Sequence, residues 1–215
     1  MAALPRSDVA SKRPCPPLES GDRLTSVEFE RRYEAHPEIR RAELVEGVVY
    51  VASPMHHEGH SRPQRIVSTW LGVYQSQHTD VDGGDGGTVR LDADNDVQPD
   101  SYLRRFDGTS RHTDDDYLEG PPEFVFEVAA SSASVDLGPK LRAYRRNGVR
   151  EYVVWQVWEK RLDWFELNED GEYVAREPNR RGVIESRAFP GLRLAVEKLV
   201  AEDLAGVLAE QNRKG

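Results

Sequence analysis

The chain has 215 residues, 38% hydrophobic and 31% charged, and its 29 basic and 38 acidic side chains leave a net charge of −9. This is enough for one sizeable core, but no apolar run reaches the roughly 18 residues a membrane-spanning helix needs. The single cysteine, Cys15, excludes an internal disulfide framework, and the acidic balance argues against coating nucleic acid through bulk charge.

Residues 1–22 are rich in Pro and Ser and lack hydrophobic periodicity, so they read as a mobile N-terminal tail. They contain no apolar stretch of the kind a secretory signal needs, and the expected location is cytoplasmic. A single domain is expected over residues 23–210. Thr25-Ser26-Val27-Glu28 is a capping-box pattern; it predicts a short helix that carries Val27, Phe29 and Tyr33 and stops before Pro37. Residues 41–53 read as two strands around a turn at Glu46-Gly47. A helix is predicted over 61–77, with Ser61 as cap and Pro63 in the first turn. Its buried stripe is Ile66, Trp70 and Tyr74 beside Val67 and Leu71. Residues 80–87 (DVDGGDGG) read as a loop, and 88–91 and 97–103 as short strands.

After a polar loop, residues 123–130 (EFVFEVAA) suit a buried strand. A helix follows over 136–147, with Asp136 as cap, Pro139 in the first turn and Gly148 closing it. Residues 151–158 (EYVVWQVW) read as another buried strand, so 123–158 is one βαβ-length unit and the class is α/β or α+β. A strand near Val183-Ile184 and an amphipathic helix over 196–210 complete the chain.

Several motifs fail on spacing. His57-Glu58-Gly59-His60 has one residue between Glu and the second His, where a zinc-protease helix needs two; His60 still lies close enough to the following helix to line a site. Asp92, Asp94 and Asp96 open like a calcium loop, but Val97 and Leu103 stand where that loop needs Gly and Glu. Asp114-Asp115-Asp116 reads as a solvated acidic loop. The Gly83-Gly84 and Gly86-Gly87 pairs lack the Lys and Ser/Thr of a phosphate-binding loop.

Two carboxylates resist such dismissal. Glu127 interrupts an apolar strand, and a buried carboxylate must be paired, metal-bound or protonated. Alternation places Val125 and Ala129 on its side and Phe124, Phe126 and Val128 opposite. Asp100 follows Pro99 in a predicted strand. Lys140 lies in the most basic segment, 137–150, near the edge of the stripe Leu137, Leu141 and Tyr144, from which it can snorkel toward a cleft. Arg142 and Arg146 point outward. A strand-borne Asp, a strand-borne Glu and a nearby Lys are what metal-dependent phosphodiester cleavage requires: oxygen ligands for a divalent cation and a cation for the developing phosphate charge.

At these residues the sequence resembles the Uma-type restriction endonuclease family of the PD-(D/E)XK nuclease superfamily. The resembling pieces are 42–54 (AELVEGVVYVASP), His60 ahead of a helix, 98–100 (QPD), 124–155 and 189–200 (FPGLRLAVEKLV), in family order. The resemblance implies the restriction-endonuclease-like fold, a central mixed β-sheet flanked by helices. It implies Asp100 as the Asp of the Pro-Asp motif, Glu127 as the second acid and Glu43 as the upstream Glu. The superfamily's Lys two positions after the second acid is Ala129 here, which makes Lys140, on the following helix, the candidate. Val48 replaces the usual acid after the first Gly, so Glu43 and Glu46 compete for the upstream role, with Glu43 favoured.

The resulting expectation is an endonuclease using Mg²⁺ or Mn²⁺ to hydrolyse DNA, with Asp100 and Glu127 as metal ligands and Glu43 and Lys140 assisting. The alternatives are a catalytically inactive nucleic-acid-binding or regulatory module on the same fold, favoured by the net charge, and a hydrolase of small phosphoesters or nucleotides. A homodimer is also expected, because the segments 151–158 and 161–167 read as exposed, aromatic strands.

Overall fold

Two six-stranded sheets and a two-stranded hairpin form the β-structure of the computed structural model, which describes residues 15–52 and 56–213. The main sheet runs Tyr173–Ala175, Arg161–Leu167, Glu151–Gln156, Phe124–Ala129, Ser101–Arg105, Val81–Gly84. It is mixed: Phe124–Ala129 and Glu151–Gln156 are parallel, and the other neighbours are antiparallel. A parallel pair needs a crossover. Here it is helical: Ala133–Val135, a π turn at Asp136–Lys140, then Leu141–Asn147, closed by Gly148 at φ 84°.

The strand Phe124–Ala129 is buried along its whole length because both faces of its sheet are covered. Phe124, Phe126 and Val128 enter a core with Trp70 of the helix Arg62–Gln75 and Val207 of the helix Leu204–Gln211. Val125 and Ala129 enter a second core with Tyr144 of the crossover and with Val45, Val89 and Val97 of the other sheet. That sheet runs Val48–Val51, Ala42–Val45, Asn95–Val97, Val89–Asp92, Leu118–Glu119, Arg111–His112. The α+β class and the mixed sheet flanked by helices are thus as expected, with a second sheet added to the central one.

Local chemistry explains the first elements. The Thr25 side chain accepts from the Glu28 N–H and starts the helix Ser26–Ala35. Glu46 and Gly47, at φ 51° and 73°, make the tight turn between Ala42–Val45 and Val48–Val51.

Six expectations change. Residues 15–22 are packed rather than forming a tail: Leu18 is buried with Phe29 and Val49, and the Gly21 N–H donates to the Val49 carbonyl at 2.8 Å. The remainder of that stretch, 1–14, lies outside the described residues. Residues 81–84 are a strand, not a loop. A Cβ on Gly84 would lie 2.7 Å from Tyr102 Oη, so glycine here admits the neighbouring ring. The single strand predicted over 97–103 breaks into Asn95–Val97 and Ser101–Arg105 around Pro99, which has no N–H for a ladder. Neither Ser61 nor Asp136 caps a helix, because π turns at His57–Ser61 and Asp136–Lys140 place both inside helical backbone. Finally, Glu151–Gln156 is fully buried between two neighbouring strands. The exposed-strand argument for a homodimer therefore does not hold. The C-terminal helix is also divided, into Val196–Val200 and Leu204–Gln211, with Asp203 capping the second through the Gly206 N–H.

Candidate active site

The break at Pro99 sets the site. The pairing of Ser101 with Phe126 brings Asp100 beside Glu127, and the two acids are tied through each other's backbone. The Asp100 N–H donates to Glu127 Oε2 at 3.3 Å, and the Val128 N–H donates to Asp100 Oδ2 at 2.8 Å. Glu127 faces the second sheet, as its neighbours Val125 and Ala129 do. From that sheet comes Glu43, whose Oε1 accepts the Gln98 N–H at 2.6 Å.

The crossover supplies the cation. Lys140 Nζ lies 2.7 Å from Glu127 Oε1, 3.0 Å from Glu43 Oε1 and 3.7 Å from Asp136 Oδ1. Pro139 sits in the π turn that delivers it; wide turns of this kind concentrate at functional sites. Glu43, Asp100, Glu127 and Lys140, four residues from four separate segments, are therefore brought together. Glu46 is not among them. It pairs with the exposed Arg142 at 2.6 Å, away from the Glu43 position.

Three further groups complete the cluster. Arg41 donates to the Gln98 carbonyl at 2.6 Å and to Asp100 Oδ1 at 2.9 Å. His60 is bound on both ring nitrogens, Nδ1 lying 3.1 Å from the Val128 carbonyl and Nε2 3.3 Å from Asp100 Oδ1. The Tyr144 hydroxyl donates to Glu127 Oε1 at 3.0 Å.

Burial and like charge pull these groups in different directions. Burial would raise the Asp100 carboxyl, but the His60 hydrogen bond and the His60, Arg41 and Lys140 charges hold it down at about 2. Burial pushes Glu127 well above the carboxylate range; Lys140 opposes this, and Asp100, Asp136 and Glu43 add to it. Lys140 moves upward: burial favours its neutral form, but Glu127, Glu43 and Asp136 outweigh that and keep it an ammonium. His60 is raised by its bond to Asp100 against the effect of burial.

These groups line a cavity of about 330 Å³ that opens between the π turns and the strand ends. Its donors are carboxylate oxygens, the hard ligands that Mg²⁺ and Mn²⁺ prefer. Four carboxyl groups, of Glu43, Asp100, Glu127 and Asp136, face two permanent cations, Lys140 and Arg41. Asp100 Oδ2 and Glu127 Oε2 each accept one N–H among the described residues and keep a lone pair. In donor chemistry the residues fit such an ion. Among the described residues, however, no group of three or more His, Cys, Asp or Glu side chains is already arranged around a metal position; Lys140 stands between the acids.

A family model described as "Uma2: Putative restriction endonuclease" matches residues 27–197. The chain belongs to the Uma2 family. Among solved structures it is similar to one titled "putative nuclease belonging to DUF820", from Anabaena variabilis, with a TM-score of 0.66. That match covers 83% of this chain and 98% of the other at 14% identity, which speaks for the fold. A search of curated proteins gives no match.

For this Uma2 chain, sequence reasoning missed Arg41, Asp136 and Tyr144. Asp136 carried a legible signal, since Asp136 and Lys140 are spaced i, i+4, but the reading as a cap concealed it. Arg41 directly precedes the family-resembling piece 42–54 but lies outside it. The rejected motifs do other work: Asp92 accepts from Asn95 and Asn147, and Asp115 pairs with Arg90 at 2.8 Å. No helix among the described residues is long and apolar enough to cross a membrane.

Proposed function

We propose that this Uma2 protein is a divalent-metal-dependent nuclease that hydrolyses DNA phosphodiester bonds. The supporting observation is the convergence of Asp100 and Glu127 with the Lys140 ammonium in one recessed cavity. Asp100 and Glu127 would hold Mg²⁺ or Mn²⁺, which when bound neutralises phosphate charge and makes a water acidic enough to attack.

The chain's own residues supply the rest. Lys140, kept charged by its acids, offers its ammonium to the phosphate oxygens as their charge grows or orients the attacking water. Glu43 fixes that ammonium at 3.0 Å. Arg41, His60 and the Val128 N–H fix both oxygens of Asp100, and Tyr144 orients Glu127.

The test is cleavage of plasmid and of single-stranded DNA by purified protein with Mg²⁺, Mn²⁺ or chelator, beside a nucleotide and small-phosphodiester panel. Asp100→Asn and Glu127→Gln should each lower metal-dependent cleavage by roughly 100-fold or more while circular dichroism remains native. Wild-type rates in either folded variant would refute the assignment. The binding-module reading draws on the ion pairing of every acid in the cluster. It predicts no calorimetric Mn²⁺ signal that depends on Asp100 and Glu127.

A further inference from the structure

The catalytic candidates lie deep. Asp100, Glu127 and Lys140 are 5%, 2% and 3% exposed, and only the cavity mouth connects them with solvent. To reach them a phosphate must enter this cavity of about 330 Å³, and an unpaired strand, whose backbone bends freely, enters a recess at less cost than a stacked duplex.

Against Gly59, a residue of the cavity lining, stands Trp158, 58% exposed, although the other three tryptophans, Trp70, Trp155 and Trp164, are at most 1% exposed. Its position is fixed rather than incidental. A Cβ placed on Gly59 would lie 2.9 Å from Trp158 Cζ2 and 3.2 Å from the Ala130 Cβ, so the indole rests against a backbone that has no side chain. Gly59 and Ala130 both line the cavity, with His60 next to Gly59. The ring is thus seated on the cavity wall with much of its surface open to solvent. Two residues on, Lys160 is exposed and makes no ion pair among the described residues. An exposed aromatic ring with an exposed lysine two residues away in sequence suits a base and its adjoining phosphate: stacking is indifferent to sequence, and the cation follows the backbone.

We infer that Trp158 is a base-stacking platform at the rim of the cavity, and that the substrate is single-stranded nucleic acid, one base resting on the indole while the neighbouring phosphate enters the site. This deepens the nuclease reading and rests on it. The unpaired strand also accords with the net charge of −9, because it carries a lower charge density than a duplex and asks for fewer basic contacts.

The experiment is a fluorescence titration in chelator, where no cleavage occurs, with an oligothymidylate and with a duplex of equal length. Because the other tryptophans are buried, quenching of the solvent-exposed emission reports on Trp158. The single strand should quench it, Trp158→Phe should remove that signal but retain most affinity, and Trp158→Ala should weaken single-strand binding roughly 5- to 150-fold. Absence of quenching, unchanged affinity in Trp158→Ala, or preference for the duplex would overturn the inference. Metal is then added to the same samples. Quenching without cleavage supports the platform and sinks the nuclease; cleavage that Trp158→Ala leaves untouched supports the nuclease and sinks the platform.

Discussion

Lys140 Nζ lies 2.7 Å from Glu127 Oε1, and both side chains are only 3% exposed. An ion pair this deep contributes little net stability, because removing both charges from water offsets most of their attraction. Removing one partner is different. Lys140→Met would leave Glu43, Glu127 and Asp136 facing one another without their shared cation, and should cost roughly 3–5 kcal/mol. The double variant Lys140→Met/Glu127→Gln should recover part of that loss. Urea unfolding at unchanged slope measures both; a Lys140→Met protein as stable as the wild type would mean that the ammonium is not the acids' counterion.

The upstream acid gives a cleaner contrast. Glu43 touches the Gln98 N–H and Lys140, whereas Glu46 reaches across to Arg142, whose side chain is 56% exposed. A surface pair of that kind is worth about 1 kcal/mol at most. Glu46→Gln should therefore change metal-dependent cleavage by about twofold at most, and Glu43→Gln should lower it by roughly 100-fold. The reverse ranking, measured on one DNA substrate, would transfer the role to Glu46.

How far these residues were readable depends on what each was read from. Glu127 could be found because a carboxylate inside a run of Phe and Val violates the burial rule, and the run alone was enough to place it on a strand. Asp100 and Lys140 needed the family resemblance, since a Pro-Asp pair and a helical lysine are each common. Trp155 and Trp164 lie in the core, so the buried reading of 151–158 holds and the exposed reading behind the homodimer does not. Strand periodicity says which residues share a face but not whether another strand lies on either side, and here the Arg161–Leu167 and Phe124–Ala129 neighbours cover Glu151–Gln156. The packed stretch 15–22 was hidden for a related reason: a single anchor, Leu18, among Pro and Ser carries no period. The π turns had no sequence signature, although they set the positions of both His60 and Lys140.

One buried acid lies away from the cluster and makes a pH-dependent prediction. Asp96 is 1% exposed; its Oδ2 accepts the Ser26 hydroxyl at 2.6 Å, and its Oδ1 has no partner among the described residues. Burial, opposed by the Ser26 bond, raises its carboxyl from 3.8 to about 6. A folded-state value above the unfolded one means that the proton is held more tightly in the folded protein. The associated stability is present below the unfolded value of 3.8 and is lost as pH rises through about 6, where the buried carboxylate ionises. Asp96→Asn keeps an oxygen for Ser26 and cannot ionise. At about pH 8 it should be more stable than wild type by roughly 1–3 kcal/mol, an advantage that shrinks as pH falls and is gone by about pH 4. Thermal melts across that range decide it: a variant less stable than wild type at the alkaline end would show that the ionised carboxylate anchors the start of the Ser26–Ala35 helix instead of straining it.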